Sequence, residues 1–182
     1  MRLFRLEADK RMTHRAEPKG LAESERLRIV METLQQSGRQ LEPIQLPIRE
    51  GEDLEYADYL DAPLPLVSDR MRRFLEKIMP GLVWRSVILA DIKSMHQAVY
   101  WLLSPPTLKC LSNQSELHID GTMKHLVLDQ QRVTRPLFQV EGIRERYVFV
   151  NLMLAESLLR RDYVGITLHA VEHEDEGGVD QQ

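Results

Sequence analysis

The spacing of short apolar segments in the second half of the chain is the feature that most constrains its fold. After Gly81, apolar residues occur in continuous or alternating runs of four to eight, which is typical of β-strands. These runs cover residues 82–89, 98–103, 108–111, 124–128, 137–140 and 147–150. They lie too close together for the helical crossovers that parallel strands require. The sequence therefore predicts an α+β domain with a largely antiparallel or mixed sheet.

The segment after Ser68 carries the strongest helix signal in the sequence. Its apolar residues Met71, Phe74, Leu75 and Ile78 fall at positions i, i+3, i+4 and i+7, so that they share one helical face. The Ser68 hydroxyl can accept a free amide of the first turn. We therefore expect a helix that Ser68 caps and whose four apolar residues are buried.

Two further segments are predicted to be helical. Residues 22–36 contain neither Gly nor Pro, and Gly38 is placed to end a helix there. Asn151 can cap a helix that runs through Arg161 and carries Leu154 and Leu158 on one face.

Other segments complete the predicted domain, which covers residues 1–171. Short strands are expected at residues 3–6 and 165–171, with an edge strand at 43–48, where prolines are tolerated. The dipeptide Asp120-Gly121 predicts a hairpin turn. Residues 172–182 carry five acids, no Lys or Arg and no aromatic residue. We expect this segment to be an acidic flexible tail.

Composition excludes several classes of protein. The first 30 residues alternate charged and apolar side chains, and Cys110 is the only cysteine, so we expect a cytoplasmic protein without a disulfide. The longest apolar run, 98–103, is far shorter than the roughly 20 residues that span a bilayer, so no membrane association is predicted. A net charge of −4 argues against direct nucleic-acid binding.

Residue types that could support catalysis are present, but their patterns do not favour it. His118, Asp120 and Ser115 form a hydrolase-like set without the Gly-x-Ser-x-Gly motif or an identifiable oxyanion loop. Cys110, between Leu108 and Leu111, is expected to be a buried and inert thiol. We therefore predict no catalytic residue, metal site or cofactor.

Two other patterns favour ordinary surface residues. His169 and His173 have the i, i+4 spacing of zinc ligands on a helix, but we place the first on a strand and the second in the tail. Glu116 and Asp120 could be paired for acid/base chemistry, although neighbouring surface carboxylates are common.

The least ordinary surface feature is the acidic loop, residues 50–61, which contains six acids and no base. Its carboxylates could steer a basic protein partner and its tyrosines could provide buried anchors. The alternative is a solvated loop. The residues predicted to bind a partner are Glu50, Glu52, Asp53, Glu55, Tyr56, Asp58, Tyr59 and Asp61.

Five segments resemble, in order, a family of bacterial proteins. They are MRLFRLEADKRM (residues 1–12), LPIREGEDLEYADYLDAPLPLVSDRMRRFLE (46–76), VYWLLSPPTLKCLSNQSE (99–116), LVLDQQRVTRPLFQVEG (126–142) and VFVNLMLAESLLRRDYVGITL (148–168). The chain resembles immunity family eleven of polymorphic toxin systems. It departs from the family at Cys110-Leu111-Ser112, where a Cys-x-Asp arrangement is common.

The resemblance implies a small cytoplasmic protein without enzymatic activity that binds and neutralises a cognate toxin. Such toxins are often delivered by contact-dependent or type VI secretion. Because many toxins that act on nucleic acids have basic clefts, the acidic loop could occupy such a cleft by imitating phosphate. Two alternatives stay open: a small hydrolase that acts through His118, Asp120 and Ser115, and a regulator that binds nucleic acid through its mixed-charge N-terminal third.

Overall fold

The structure, a computed structural model, describes residues 2–35 and 41–174. These residues contain three α-helices: α1 Glu23–Gln35, α2 Asp69–Ile78 and α3 Leu152–Leu159. The strands are β1 Leu3–Ala8, β2 Ile44–Pro47, β3 Tyr59–Leu60, β4 Leu66–Ser68, β5 Val83–Asp91, β6 His96–Ser104, β7 Thr107–Leu108, β8 Glu116–Leu117, β9 Met123–His125, β10 Val127–Leu128, β11 Leu137–Val140, β12 Val148–Asn151 and β13 Ile166–His173. The predicted α+β class with mixed and antiparallel sheets is confirmed.

The chain divides into two compact units. Among the described residues, unit 1 comprises 2–6, 105–161 and 168–174, and unit 2 comprises 7–35, 41–104 and 162–167. The single domain at 1–171 stays a prediction.

Unit 2 is built on a five-stranded sheet in the order β2-β5-β6-β4-β3. Its longest element is the antiparallel hairpin of β5 and β6, whose nine cross-strand pairs run from Val83–Ser104 to Asp91–His96. The edge strand β2 pairs in parallel with β5, which confirms the edge position expected for a proline-flanked segment. One face of the hairpin contributes Val87, Leu89, Tyr100 and Leu102 to the apolar core of this unit.

Unit 1 is organised around a sheet in the order β10-β13-β1-β12-β11-β7, to which β1 and β13 contribute although part of each strand belongs to unit 2. Its core includes Leu3, Cys110, Phe138 and Phe149, and the last two rings stack with centroids 5.6 Å apart. A separate two-stranded hairpin, β8 and β9, turns at Gly121, whose φ of 81° confirms the predicted turn there.

The helix after Ser68 forms as predicted. The Ser68 hydroxyl accepts the Met71 N–H at 3.2 Å, and Met71, Phe74 and Leu75 are buried. The predicted burial of Ile78 is wrong, since this side chain is 36% exposed. Ile78 is the last helical residue, and the backbone leaves the helical conformation at Met79.

The other two helices differ from prediction mainly at their ends. Asn151 caps α3 by accepting the Leu154 N–H at 3.0 Å, and Leu154 and Leu158 are buried, but the helix ends at Leu159 rather than Arg161. Helix α1 ends at Gln35, and Gly38 lies outside the described residues.

Two predicted segments have different limits in the structure. The single strand expected at residues 124–128 is two short strands, β9 and β10, interrupted at Leu126. The tail was predicted to begin at Glu172, but Glu172 and His173 complete β13, and the Glu174 N–H donates to the Leu128 carbonyl at 3.0 Å. Residues 175–182 lie outside the described part of the chain.

Candidate functional site

Parallel pairing of β2 and β5 places the start of the acidic loop beside the turn of the long hairpin. Pro47 lies opposite Ala90, and the Ile48 N–H donates to the Ala90 carbonyl at 3.0 Å. The acidic loop therefore begins where β5 ends. A second contact joins the loop to the hairpin, because the Tyr56 and His96 rings lie 5.2 Å apart.

The first half of the acidic loop presents its carboxylates to solvent. Glu50, Glu52, Asp53 and Glu55 are exposed, and none forms an ion pair with any residue in the described ranges 2–35 and 41–174. These charges stand unneutralised on the surface of unit 2.

The backbone that carries these carboxylates is held at its two ends, at Arg49, whose N–H donates to the Glu17 carbonyl at 2.9 Å, and at Glu55. The Glu55 N–H donates to the His14 carbonyl at 2.9 Å, and the Glu55 carbonyl accepts the Ala16 N–H at 2.8 Å. Asp53 has a φ of 51°, a left-handed conformation that Asp tolerates better than most residues. The loop is therefore anchored on both sides of Glu50, Glu52 and Asp53.

The second half of the loop is structural. Asp58 is 7% exposed, and its two oxygens accept four hydrogen bonds. One oxygen accepts from the Ser68 hydroxyl at 2.5 Å and from Arg70 Nε at 3.4 Å. The other accepts from an Arg70 terminal nitrogen at 2.5 Å and from the Val164 N–H at 2.8 Å.

Two residues that follow Asp58, Tyr59 and Asp61, also make contacts within unit 2. Tyr59 begins β3 opposite Val67 and is 1% exposed, and burial raises the pKa of its hydroxyl. Asp61 is exposed, but one of its oxygens accepts the Ala8 N–H at 3.0 Å. Asp58 and Tyr59 therefore do not lie on an exposed binding face, because the chain enters the sheet at this point.

Tyr56 occupies an intermediate position. It packs against the core of unit 2 and is partly buried, and burial together with the nearby Asp91 carboxylate raises the pKa of its hydroxyl. Of the eight predicted partner-binding residues, five are exposed, one is partly buried and two are buried. The exposed ones are Glu50, Glu52, Asp53, Glu55 and Asp61; Tyr56 is partly buried, and Asp58 and Tyr59 are buried.

Sequence reasoning missed the turn of the neighbouring hairpin. Ile92 is 70% exposed and Met95 is 83% exposed. The predicted strands ended at Leu89 and resumed at Ala98, so that no role was assigned to the residues between them. The available signal was the presence of two large apolar residues, Ile92 and Met95, in the short segment between the two predicted strands.

Three of the residues considered for catalysis, Ser115, Asp120 and Glu116, form hydrogen bonds or an ion pair within unit 1. The Ser115 hydroxyl donates to the Val127 carbonyl at 2.7 Å, so its proton is directed to the backbone and not to a histidine. Asp120 accepts from the amide and hydroxyl of Thr122 within the turn, and both hydrogen bonds lower its pKa. Glu116 pairs with Lys124 at 2.6 Å, which lowers the pKa of its carboxyl.

Cys110 is buried as predicted. It is 0% exposed, and burial raises the pKa of its thiol to about 11. His169 lies on β13 as expected, whereas His173, predicted in the tail, is the last residue of that strand. No group of three or more His, Cys, Asp or Glu side chains suited to a metal ion occurs among the residues described.

No family model and no curated protein matches the chain. No helix in the described ranges combines the length and apolar character needed to cross a membrane.

Proposed function

We propose that this chain is an immunity protein that binds and neutralises a cognate secreted toxin in the bacterial cytoplasm. The observation that carries the proposal is the set of four exposed, unneutralised carboxylates on the first half of the acidic loop. Such charges attract a basic partner over long distances and accelerate its association. Because no internal ion pair has to break, the full charge is available to the partner.

The chemistry of the loop favours a toxin with a basic cleft. The residues Glu50, Glu52, Asp53 and Glu55 occupy a segment of six residues. The backbone of this segment is fixed at Glu55 by hydrogen bonds of its N–H and its carbonyl. Carboxylates that are close together in the sequence can imitate consecutive phosphates. Toxins that bind nucleic acid display Lys and Arg to such a pattern. The resemblance to immunity family eleven supports a toxin as the partner but does not specify the activity of that toxin.

This proposal is tested by measuring protection of cells and direct binding with the same toxin domain. The proposal predicts that the gene immediately upstream encodes a large secreted protein with a toxic C-terminal domain. That domain is the probe, expressed in active form for growth assays and in an inactivated form for binding. We expect co-expression of this chain to restore growth. Failure of the chain to protect or to bind would overturn the proposal.

The role of the loop is tested by neutralising three carboxylates at once. In the variant with Glu50→Gln, Glu52→Gln and Glu55→Gln, we expect association at low salt to slow about tenfold and to depend less on ionic strength. The matched control is the triple replacement Glu42→Gln, Glu141→Gln and Glu156→Gln, which changes the net charge equally at exposed sites elsewhere. Equal association rates for the two variants would remove the loop from the interface.

A further inference from the structure

The end of the β5–β6 hairpin and the acidic loop lie on the same face of the unit 2 sheet. Asp91 is two residues beyond the buried Leu89, so its side chain is on the face of β5 that carries the core of this unit. His96 is the cross-strand partner of Asp91 and shares that face. The loop packs there too, because the Tyr100 hydroxyl donates to the Ala57 carbonyl at 2.6 Å. The hairpin end therefore borders the loop.

Tyr56 joins the loop to the hairpin end. Its ring lies 5.2 Å from the His96 ring, at an interplanar angle of 60°. Burial raises the pKa of the Tyr56 hydroxyl, and the nearby Asp91 carboxylate raises it further. We name Tyr56, Asp91 and His96 the hairpin-end cluster. It begins directly after Glu55, an exposed carboxylate of the first half of the loop.

His96 is the member of the hairpin-end cluster that a partner can reach most easily. It is exposed, whereas Tyr56 and Asp91 are partly buried. The Asp91 carboxylate accepts the Ser94 hydroxyl at 2.5 Å, which lowers its pKa, and the Lys93 N–H at 3.0 Å. The Lys93 side chain is exposed in the turn. A neutral His96 imidazole adds no charge to this surface, whereas a protonated one adds a second positive charge at the border of the acidic loop.

We infer that the toxin-binding face extends from the acidic loop through Tyr56 to His96, and that His96 has to be neutral for tight binding. The inference rests on the proposed function. A basic surface that lies over Glu55 also meets His96, because Tyr56 follows the first residue in the chain and contacts the second. A neutral imidazole can be buried beside Lys or Arg, whereas an imidazolium repels them. Histidine is the side chain that changes between these forms from about pH 8 to about pH 5.

A permanent positive charge at this position tests the inference. We expect His96→Arg to bind the inactivated toxin domain about tenfold more weakly at about pH 7.5, because like charges then meet in the interface. An arginine can still stack on the Tyr56 ring, so the loss reports the charge rather than a missing contact. The neutral variant His96→Gln should bind within about twofold of the unmodified chain.

The chain offers a matched control in the β8–β9 hairpin. His118 is also an exposed histidine beside a hairpin turn, so His118→Arg adds the same charge in unit 1. We expect this control to bind within about twofold of the unmodified chain. Thermal unfolding of the His96 and His118 variants should match that of the unmodified chain, because both side chains are exposed.

The pH dependence of binding distinguishes a charge effect from a change in shape. Between about pH 8 and about pH 6, we expect binding by the unmodified chain to weaken about fivefold more than binding by His96→Gln. Titrating groups of the toxin contribute equally to both measurements. The same holds for His14, whose carbonyl accepts the Glu55 N–H and which both chains retain. The difference between the two chains therefore belongs to His96.

The outcomes separate this inference from the proposed function. Equal binding by His96→Arg and His118→Arg would overturn the inference, and so would an equal pH dependence for the unmodified chain and His96→Gln. Either result would leave the proposed function standing. An unmodified chain that neither binds the toxin domain nor protects cells would overturn both.

Discussion

Replacing Asp58 by asparagine tests whether the hydrogen bonds of Asp58 hold the second half of the acidic loop in place. The side chain keeps its size but loses its charge and one acceptor oxygen. Four donor atoms, from Ser68, Arg70 and Val164, then face one carbonyl oxygen and an amide group that itself donates. At least one donor is left without an acceptor.

The expected loss of stability can be worked from these contacts. A buried N–H such as that of Val164 left without its acceptor costs about 1–3 kcal/mol. The ion pair with Arg70 adds only about 0–1 kcal/mol, because the Arg70 side chain is 56% exposed. We therefore expect Asp58→Asn to lower the free energy of unfolding by about 2–3 kcal/mol, which corresponds to a fall in Tm of about 5–10 °C.

Thermal and urea unfolding followed by circular dichroism measure this change. The control is Asp53→Asn, in the same loop, where the residue is exposed and asparagine accommodates the φ of 51°. We expect this control to stay within about 0.5 kcal/mol of the unmodified chain. If Asp58→Asn left Tm within about 2 °C of that of the control, the stabilising role of the Asp58 hydrogen bonds would be refuted.

Two further predictions concern the cores of the two units. Phe74→Ala should lower the free energy of unfolding by about 3–5 kcal/mol, while Ile78→Ala on the same helix should cost less than about 1 kcal/mol; similar urea midpoints for the two variants would contradict the packing of α2. Cys110 should react with iodoacetamide only on unfolding, and thiolate absorbance at 240 nm should rise near pH 11 instead of near pH 9. Because the raised pKa disfavours the thiolate in the folded state, the contribution of Cys110 to stability is complete below pH 9 and is lost between pH 9 and 11; rapid alkylation of the native protein would contradict this assignment.

Features that depend on a few neighbouring residues were predictable from the sequence. The caps at Ser68 and Asn151 and the turn at Gly121 follow from short-range geometry, and all three occur as expected. Burial of Cys110 followed from its apolar neighbours in a strand-like segment.

The structural role of Asp58 was not predictable in this way. Its partner Val164 lies 106 residues away, and no local pattern distinguishes Asp58 from the exposed Asp53. The exposure of the hairpin turn was not predicted for a related reason. Ile92 and Met95 could lie in a core or at the surface, and the sequence does not show that α2 contacts the hairpin at Trp101, away from the turn. The division of the acidic loop into an exposed and a buried half therefore required tertiary structure.

The hydrogen bond between Val164 and Asp58 also fixes the order in which unit 2 can be completed during synthesis. A nascent chain that has reached Ser104 already contains all five strands of the sheet, together with α1 and α2. It still lacks the Val164 N–H for Asp58 and the Gly165 carbonyl that accepts the Asp9 N–H. At about 5–20 residues per second, several seconds pass before the ribosome supplies these groups. Until then Asp58 keeps its contacts with Ser68 and Arg70 but lacks the Val164 N–H, and a nascent or truncated chain that ends before Val164 is expected to be cleaved near Asp58 faster than the full chain.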